Sequence, residues 1–119
     1  MPTPTSYNPS LHGKVILIVQ RLWLIARSLA TAFEANGARV LSANNTRSAV
    51  ALADEPGLSA AVLDSESRAI CKKLLQRDIP FVVYSGREHI DDECAQGLTV
   101  RKPESTEAIV TTVTRLLSE

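Results

Sequence analysis

Aromatic side chains are scarce in this sequence: they make up 4% of its 119 residues, whereas hydrophobic residues of all kinds make up 45%. A core with few aromatic rings has to be filled by Val, Leu, Ile and Ala, which pack well where helices cover a parallel sheet. A chain of this length has room for one core. The composition therefore favours a single small α/β domain.

An excess of charge is also missing, since 13 basic residues balance 13 acidic ones. Proteins that bind nucleic acid or an anionic membrane surface usually carry a basic excess or patch. The longest apolar stretch, from Val15 to Ala26, is interrupted by Gln20 and Arg21 and is too short to cross a bilayer. We therefore expect a cytoplasmic protein that binds neither nucleic acid nor membrane.

The first 13 residues lack the basic and apolar regions of a signal peptide. Their content of Pro, Ser, Thr and Asn predicts a flexible tail at 1–13, followed by one domain at 14–119. The two cysteines, Cys71 and Cys94, form no CxxC motif and have no histidine pair nearby. In such a setting we expect reduced, partly buried thiols.

Short apolar runs alternate with segments of helical spacing along the whole chain. Strands are predicted at Lys14–Val19, Ala38–Ser42, Ala60–Leu63, Phe81–Tyr84 and Leu98–Val100, the first of them buried on both faces and the second more exposed. Helices are predicted from Leu22 to Asn36, from Thr46 to Ala53, from Ser67 to Arg77, within Arg87 to Ala95, and after Pro103, where Ile109, Val110, Val113, Leu116 and Leu117 form one stripe.

This alternation predicts right-handed βαβ crossovers and a parallel sheet with helices on both faces. The expected architecture is a flavodoxin-like (βα)5 three-layer sandwich with strand order 2-1-3-4-5. Polar residues follow the predicted strands at their carboxyl ends, where sites in open α/β sheets form. Gln20, Arg21, Asp64, Ser85 and Lys102 are therefore expected to face one another.

Three pieces of sequence together resemble the receiver domain of bacterial response regulators (CheY-like). They are the strand that ends in Val-Leu-Asp64, the strand that ends in Tyr84-Ser85-Gly86, and Arg101-Lys102-Pro103 before an amphipathic last helix. The resemblance covers the chain from about Lys14 onward. It implies a protein of two-component phosphorelay signalling, with a histidine kinase or phosphotransfer protein as partner.

The resemblance also implies roles for individual residues. Asp64 would be the phosphoacceptor, and Lys102 and Ser85 would contact the phosphoryl group and carry the switch. The protein would then be a phosphoacceptor in a transfer reaction, and not itself an enzyme. Taken singly, Asp64 and Ser85 could equally be helix caps and Lys102 a surface charge.

The family normally places two acidic residues after the first strand, and they hold Mg²⁺. Here Gln20 and Arg21 occupy those positions, and only Asp64 and the backbone carbonyl of Glu66 remain as possible metal ligands. We hypothesise that Arg21 pairs with Asp64 and replaces the metal, so that the protein binds no cofactor. In the other interpretation, Arg21 points to solvent.

Two further departures from the family concern switching. The segment after Asp64 lacks the usual Met-Pro-x-x-Asp-Gly loop, and Thr99 stands where many members carry an aromatic residue that rotates on phosphorylation. Trp23 lies close in the sequence to the predicted site and could cover it. The first expectation, however, is that this tryptophan packs within the domain.

These observations leave three functions to compare. The first is a single-domain pseudo-receiver that acts by binding proteins: a downstream partner of unknown identity, or a second copy through the face from Arg87 to Leu117. The second is a receiver that still accepts phosphate on Asp64. The third, a small-ligand-binding flavodoxin-like domain, is disfavoured because the turn after the first strand has no glycine for a phosphate.

Overall fold

The computed structural model describes residues 11–63, 68–85, 98–101 and 106–118. Strands and helices alternate through these ranges. They are β1 (Val15–Val19), α1 (Trp23–Ala35), β2 (Arg39–Ala43), α2 (Thr46–Leu52), β3 (Ala60–Leu63), α3 (Arg68–Gln76), β4 (Phe81–Ser85), β5 (Leu98–Arg101) and α4 (Thr106–Ser118). The helix predicted within Arg87 to Ala95 lies outside the described residues. The other predicted elements are confirmed, with ends shifted by a few residues.

The strands form one parallel sheet in the order β2-β1-β3-β4-β5, which confirms the predicted flavodoxin-like topology. β1 lies between β2 and β3, with Val19 paired to Ala43 on one side and to Leu63 on the other. Because all strands run the same way, their carboxyl ends meet at one edge of the sheet. We call this the carboxyl edge. Residue 85 is the last of β4, and residues 20, 64 and 102 directly follow β1, β3 and β5 in the sequence.

β1 is buried on both faces because its apolar residues are continuous. Leu17 and Val19 belong to one core cluster and Ile16 and Ile18 to the other, in keeping with the two-residue period of a strand. The four residues are at most 8% exposed. A helix layer must therefore cover each side of the sheet.

The two helix layers are formed by different pairs of helices. α1 and α4 cover one face with Leu29, Phe33, Ile109 and Val113. α2 and α3 cover the other with Ala49, Ile70 and Leu74, among others. Within the described ranges, none of the helices combines the length and the apolar content that a bilayer crossing requires.

Backbone motifs at the helix ends agree with the sequence signals. The side chain of Asn45 accepts a hydrogen bond from Ser48 N at 2.8 Å and caps α2, as predicted. Just after α1, the backbone turns at Gly37, which has a φ of 96° and donates from its N to Glu34 O. α3 ends in the same way at Asp78, although aspartate adopts a positive φ less readily than glycine.

The predicted boundary between tail and domain is wrong for Leu11. This residue is fully buried in the cluster beneath α1 and α4, and its N donates to Asn36 O at 3.0 Å. A leucine that fills a core site outweighs the polar composition of its neighbours, because burying such a side chain stabilises the fold by about 1.5–3 kcal/mol. The packed domain therefore includes residues 11–13, which the sequence analysis placed in the tail.

The expectation of reduced thiols is also wrong for Cys71. Its side chain is fully buried on α3 and takes part in a disulfide bond. The sequence contains one other cysteine, Cys94, which lies outside the described residues. Disulfide formation depends on the distance between two Cα atoms in the fold, and cysteine spacing along the chain does not reveal that distance.

Candidate functional site

The strand register brings the ends of neighbouring strands to the carboxyl edge. Val19 pairs with Leu63, and Leu63 pairs with Val83, so β1 and β3 end level with each other and β4 continues two residues further, to Ser85. Ser85, the last residue of β4, pairs in turn with Arg101, the last residue of β5. In open α/β sheets, sites form where the carboxyl ends of neighbouring strands meet.

Not all the predicted site residues are among those the structure describes. Asp64 and Lys102 directly follow β3 and β5 in the sequence, but they and Glu66 lie outside the described residues. For Ser85 the backbone is described and the side chain is not. The placement of these side chains therefore stays a prediction, and Gln20 and Arg21 carry the structural argument.

Gln20 is held firmly at the end of β1. Its backbone N donates to Ala43 O of β2 at 3.0 Å, which extends the sheet pairing by one residue. Its side chain is only 3% exposed, and Oε1 accepts a hydrogen bond from Leu22 N at 3.1 Å. Gln20 thus closes the turn between β1 and α1.

The other end of the Gln20 amide has no hydrogen-bond partner. Nε2 is fully covered and unpaired. The two ends of the amide cannot be exchanged, because Leu22 N is a donor and must face the oxygen. A buried, unpaired amide costs about 1–3 kcal/mol, which the packing around Gln20 has to offset.

Arg21, the next residue, is solvent-exposed at the same edge. Its side chain is a permanent cation. The prediction that it pairs with Asp64 remains a prediction, since Asp64 lies outside the described residues.

The described part of the edge does not suit Mg²⁺. This ion needs oxygen ligands in octahedral geometry, and usually one or two carboxylates. Gln20 offers one uncharged side-chain oxygen, which already accepts a hydrogen bond from Leu22 N, and its amide nitrogen cannot ligate a metal. Among the described residues, no cluster of three or more His, Cys, Asp or Glu side chains is placed to hold a metal.

Trp23 contradicts the expectation that it packs in the domain. Its side chain is 67% exposed at the first turn of α1, and its neighbours Leu22 and Leu24 are 58% and 65% exposed. We call these three residues the apolar triplet. The sequence contained a signal for it, because three consecutive large apolar residues on a helix cannot all face the core.

A pocket of about 310 Å³ lies between α1 and the β2–α2 connection. On one side it is lined by Gln20, Trp23 and Ala26, and on the other by Ser42, Asn44 and Ser48. Sequence reasoning missed this pocket. Its polar residues lie between the end of β2 and the first turn of α2, where the sequence predicted only a strand end and a helix cap.

Comparison with known proteins finds similar structures but no significant match to the sequence. No protein-family model matches the chain, and no curated protein is significantly similar in sequence.

Solved structures, in contrast, match almost the whole chain. The receiver domain of the Francisella response regulator 1452 is 20% identical, with a TM-score of 0.74 over 88% of this chain and 97% of that one. The receiver domain of the Pseudomonas aeruginosa sensor histidine kinase PA1611, solved with magnesium in its active site cleft, is 17% identical, with a TM-score of 0.75 over 90% and 99%.

A response regulator from Burkholderia pseudomallei is also similar, and its structure contains a phosphorylated aspartic acid and a calcium ion. It is 23% identical, with a TM-score of 0.69 over 88% of this chain and 71% of that one. In all three cases the similarity covers 88–90% of this chain. The chain therefore has the fold of response regulator receiver (CheY-like) domains, as the resemblance of its sequence predicted.

Proposed function

We propose that this protein is an atypical receiver that signals through contacts with other proteins, with metal-dependent phosphorylation weakened or lost. The fold supports the receiver part of the proposal. The atypical part depends on the residues that follow β1.

Gln20 is the observation that carries the proposal. A metal-binding receiver needs a free carboxylate at this position. Here an amide is buried, and its oxygen is committed to Leu22 N. A neutral amide oxygen that already accepts a hydrogen bond is a poorer ligand for Mg²⁺ than a free carboxylate, because it brings no negative charge to the ion.

Arg21 disfavours a metal further by its charge. A guanidinium beside the phosphoacceptor would repel a divalent cation and fit a carboxylate in bidentate fashion. We infer that Arg21 pairs with Asp64 and occupies the place of the metal. The pair would hold the carboxyl edge in one state, whether or not a phosphodonor is present.

The apolar triplet supports a role in protein binding. Exposed large apolar side chains that are neighbours in the sequence are candidates for a contact surface when they form one patch. The triplet directly follows Gln20 and Arg21, so a partner that reaches the carboxyl edge would meet it. A histidine kinase or phosphotransfer protein and a downstream protein are the partners that we propose, with a second copy through residues 87–117 as a further possibility.

The experiment is intact mass spectrometry after incubation with acetyl phosphate, with and without Mg²⁺. The samples are the unmodified protein, Asp64→Asn, and a double variant, Gln20→Asp with Arg21→Asp, that restores an acidic pair. We expect no phosphate on the unmodified protein and one Mg²⁺-dependent phosphate on the double variant. The double variant shows that the assay can detect the reaction in this fold.

A phosphate on the unmodified protein that disappears in Asp64→Asn would contradict the proposal. It would establish the alternative, in which an Asp64 oxygen attacks the phosphorus, the bond to the leaving group breaks, and an acyl phosphate forms. A double variant that stays unphosphorylated would show that Gln20 and Arg21 do not account for the loss of metal-dependent phosphorylation. The proposal would then fail in its central argument.

A further inference from the structure

A groove follows one face of α1, on the side of α4, and we call it the α1–α4 groove. Its volume is about 540 Å³, within the range of sites that hold a side chain or a small ligand. Residues about one helical turn apart line it, which places them on one face of α1. They run from Leu24 through Arg27, Thr31 and Ala32 to Ala35, and Thr106 of α4 also lines the groove.

The chain enters the packed domain beside this groove. Leu11 is fully buried beneath α1 and α4, and its N donates to Asn36 O at 3.0 Å. Asn36 caps the end of α1 and directly follows Ala35, the last groove residue of that helix. Residues 1–10, which lie outside the described residues, therefore join the domain at the Ala35 end of the groove.

The length of this segment matches the groove. Along α1, the distance from Ala35 to Leu24 is about 17 Å, whereas ten residues in the extended polyproline II conformation span about 31 Å. Pro2, Pro4 and Pro9 favour that conformation because the proline ring fixes φ. They also reduce the conformational entropy that the segment loses when it becomes ordered. Residues 1–10 can therefore cover the whole groove.

The side chains of the segment suit the lining of the groove. Tyr7 stands four residues before Leu11, so it reaches about 12 Å along the groove in an extended segment. The lining there consists of short side chains, including Ser28, Thr31 and Ala32, which leave room for an aromatic ring. Burial favours the ring, and the Ser28 and Thr31 hydroxyls are suitable partners for the Tyr7 hydroxyl.

Arg27 supplies hydrogen-bond donors along the same path. Backbone carbonyls in polyproline II make no internal hydrogen bonds and so can accept from a guanidinium. Residues 1–10 contain no charged side chain that would have to lose its hydration in the groove. Position, length and chemistry thus agree on one occupant.

We propose that residues 1–10 of this chain lie along the α1–α4 groove, with the Tyr7 ring over Thr31 and Ala32. The inference replaces the expectation of a flexible tail for these residues. Because the segment is joined to the buried Leu11, its effective concentration at the groove is on the order of mM, and weak contacts are sufficient. The proposal goes beyond the proposed function and does not depend on it. Leu24 also belongs to the apolar triplet, so the segment would limit the access of a partner to that surface.

The test is NMR spectroscopy of the full chain. We expect order parameters above about 0.6 for the amides of Thr5, Ser6, Tyr7 and Asn8, since flexible backbone lies below that value. We also expect nuclear Overhauser effects between the Tyr7 ring and the methyl groups of Thr31 and Ala32. A mixture of isotope-labelled and unlabelled chains shows whether these contacts form within one chain.

Variants then connect the order of the segment to the groove. Tyr7→Ala removes the proposed anchor, and Thr31→Arg fills the groove from an exposed position of α1. In both variants the order parameters of the amides of Thr5, Ser6 and Asn8 should fall below about 0.6. Thr111→Arg makes the same substitution at an exposed position of α4 outside the groove and should leave the segment as ordered as in the unmodified protein.

Three results would overturn the proposal. One is a segment whose order parameters lie below about 0.6 in the unmodified protein. Another is equal order in Thr31→Arg and Thr111→Arg, which would mean that the segment is held somewhere other than the groove. The last is a set of contacts between labelled and unlabelled chains only, which would make a second copy the occupant.

Discussion

Gly37 and Asp78 occupy equivalent positions just after α1 and α3, and both have a positive φ. In each case two backbone N–H groups bond back to carbonyls of the last turn: Gly37 and Ala38 to Glu34 and Phe33, and Asp78 and Ile79 to Leu75 and Leu74. This is the Schellman motif, in which glycine is preferred. Gly37 therefore suits the backbone conformation after α1 better than Asp78 suits the same conformation after α3.

Replacing Asp78 with glycine should stabilise the protein by about 1 kcal/mol, because glycine adopts a positive φ without steric cost. The measurement is the free energy of unfolding in urea. Asp78→Ala is the matched control, since it removes the charge but keeps the Cβ atom. If Asp78→Ala stabilises as much as Asp78→Gly, the effect comes from charge and the backbone argument is wrong.

Replacing Gly37 with alanine should destabilise the protein by about 2–3 kcal/mol, for two reasons. Its φ is 96°, and a Cβ atom here would lie 3.0 Å from His12 N and 3.1 Å from His12 Cα. Gly57, with a φ of 85° and no atom within 4 Å of the position a Cβ would take, serves as the control. Gly57→Ala should cost about 1 kcal/mol in urea unfolding, and equal losses at the two sites would exclude a contribution from the His12 contact.

At the scale of elements, α1 and α2 begin differently. Asn45 caps α2, whereas Leu22 stands at the N-cap of α1 with an exposed side chain that cannot accept a hydrogen bond. A leucine at this position gives up stability that a polar residue would supply. The same leucine belongs to the apolar triplet, which we propose as a contact surface.

Leu22→Asp should therefore raise the free energy of unfolding by about 1 kcal/mol, because it adds a cap and a favourable charge at the helix N-terminus. Asn45→Ala should lower it by about the same amount. Urea unfolding followed by circular dichroism measures both. A Leu22→Asp variant less stable than the unmodified protein would mean that Leu22 contributes packing that outweighs its missing cap.

The elements are predictable from the sequence where one local property decides them. β1 is recognisable because its run of apolar residues is continuous, and α2 because Asn45 is a good cap. The exposure of Trp23 is predictable only in part: the sequence indicates that the apolar triplet cannot all face the core, but which of its members are exposed depends on what surrounds α1 in space. The burial of Leu11, which results from packing beneath α1 and α4, and the disulfide of Cys71 also depend on contacts in space.

The candidate site is predictable in its position but not in its interactions. The order of strands in a parallel sheet follows from the alternation of elements, and it places Gln20 at the carboxyl edge. The hydrogen bond from Leu22 N to Gln20 Oε1, and the unpaired nitrogen that results, depend on one side-chain conformation. Sequence pattern carries no information on that conformation.

At the scale of the whole molecule, the parallel topology brings residues from distant parts of the chain to one edge and makes their charges interact. A change in charge at Arg21 should therefore alter how the protein binds a divalent cation. A unit charge and a divalent cation about 6 Å apart in water repel by about 1.4 kcal/mol, which is a factor of about ten in affinity. Burial of the site would increase this effect.

Arg21→Ala should accordingly raise Mg²⁺ affinity about tenfold. The measurement is the free energy of unfolding in urea at increasing Mg²⁺ concentration, which gives the Kd of Mg²⁺ for the folded protein. Ligand binding to the folded state adds about 1.4 kcal/mol when Mg²⁺ exceeds its Kd about tenfold. Arg27→Ala removes the same charge from an exposed position on α1 and controls for net charge. An equal gain in Mg²⁺ affinity in both variants would mean that net charge, and not the position of Arg21, decides the affinity. Tight Mg²⁺ binding by the unmodified protein would also contradict the idea that Arg21 stands in for the metal.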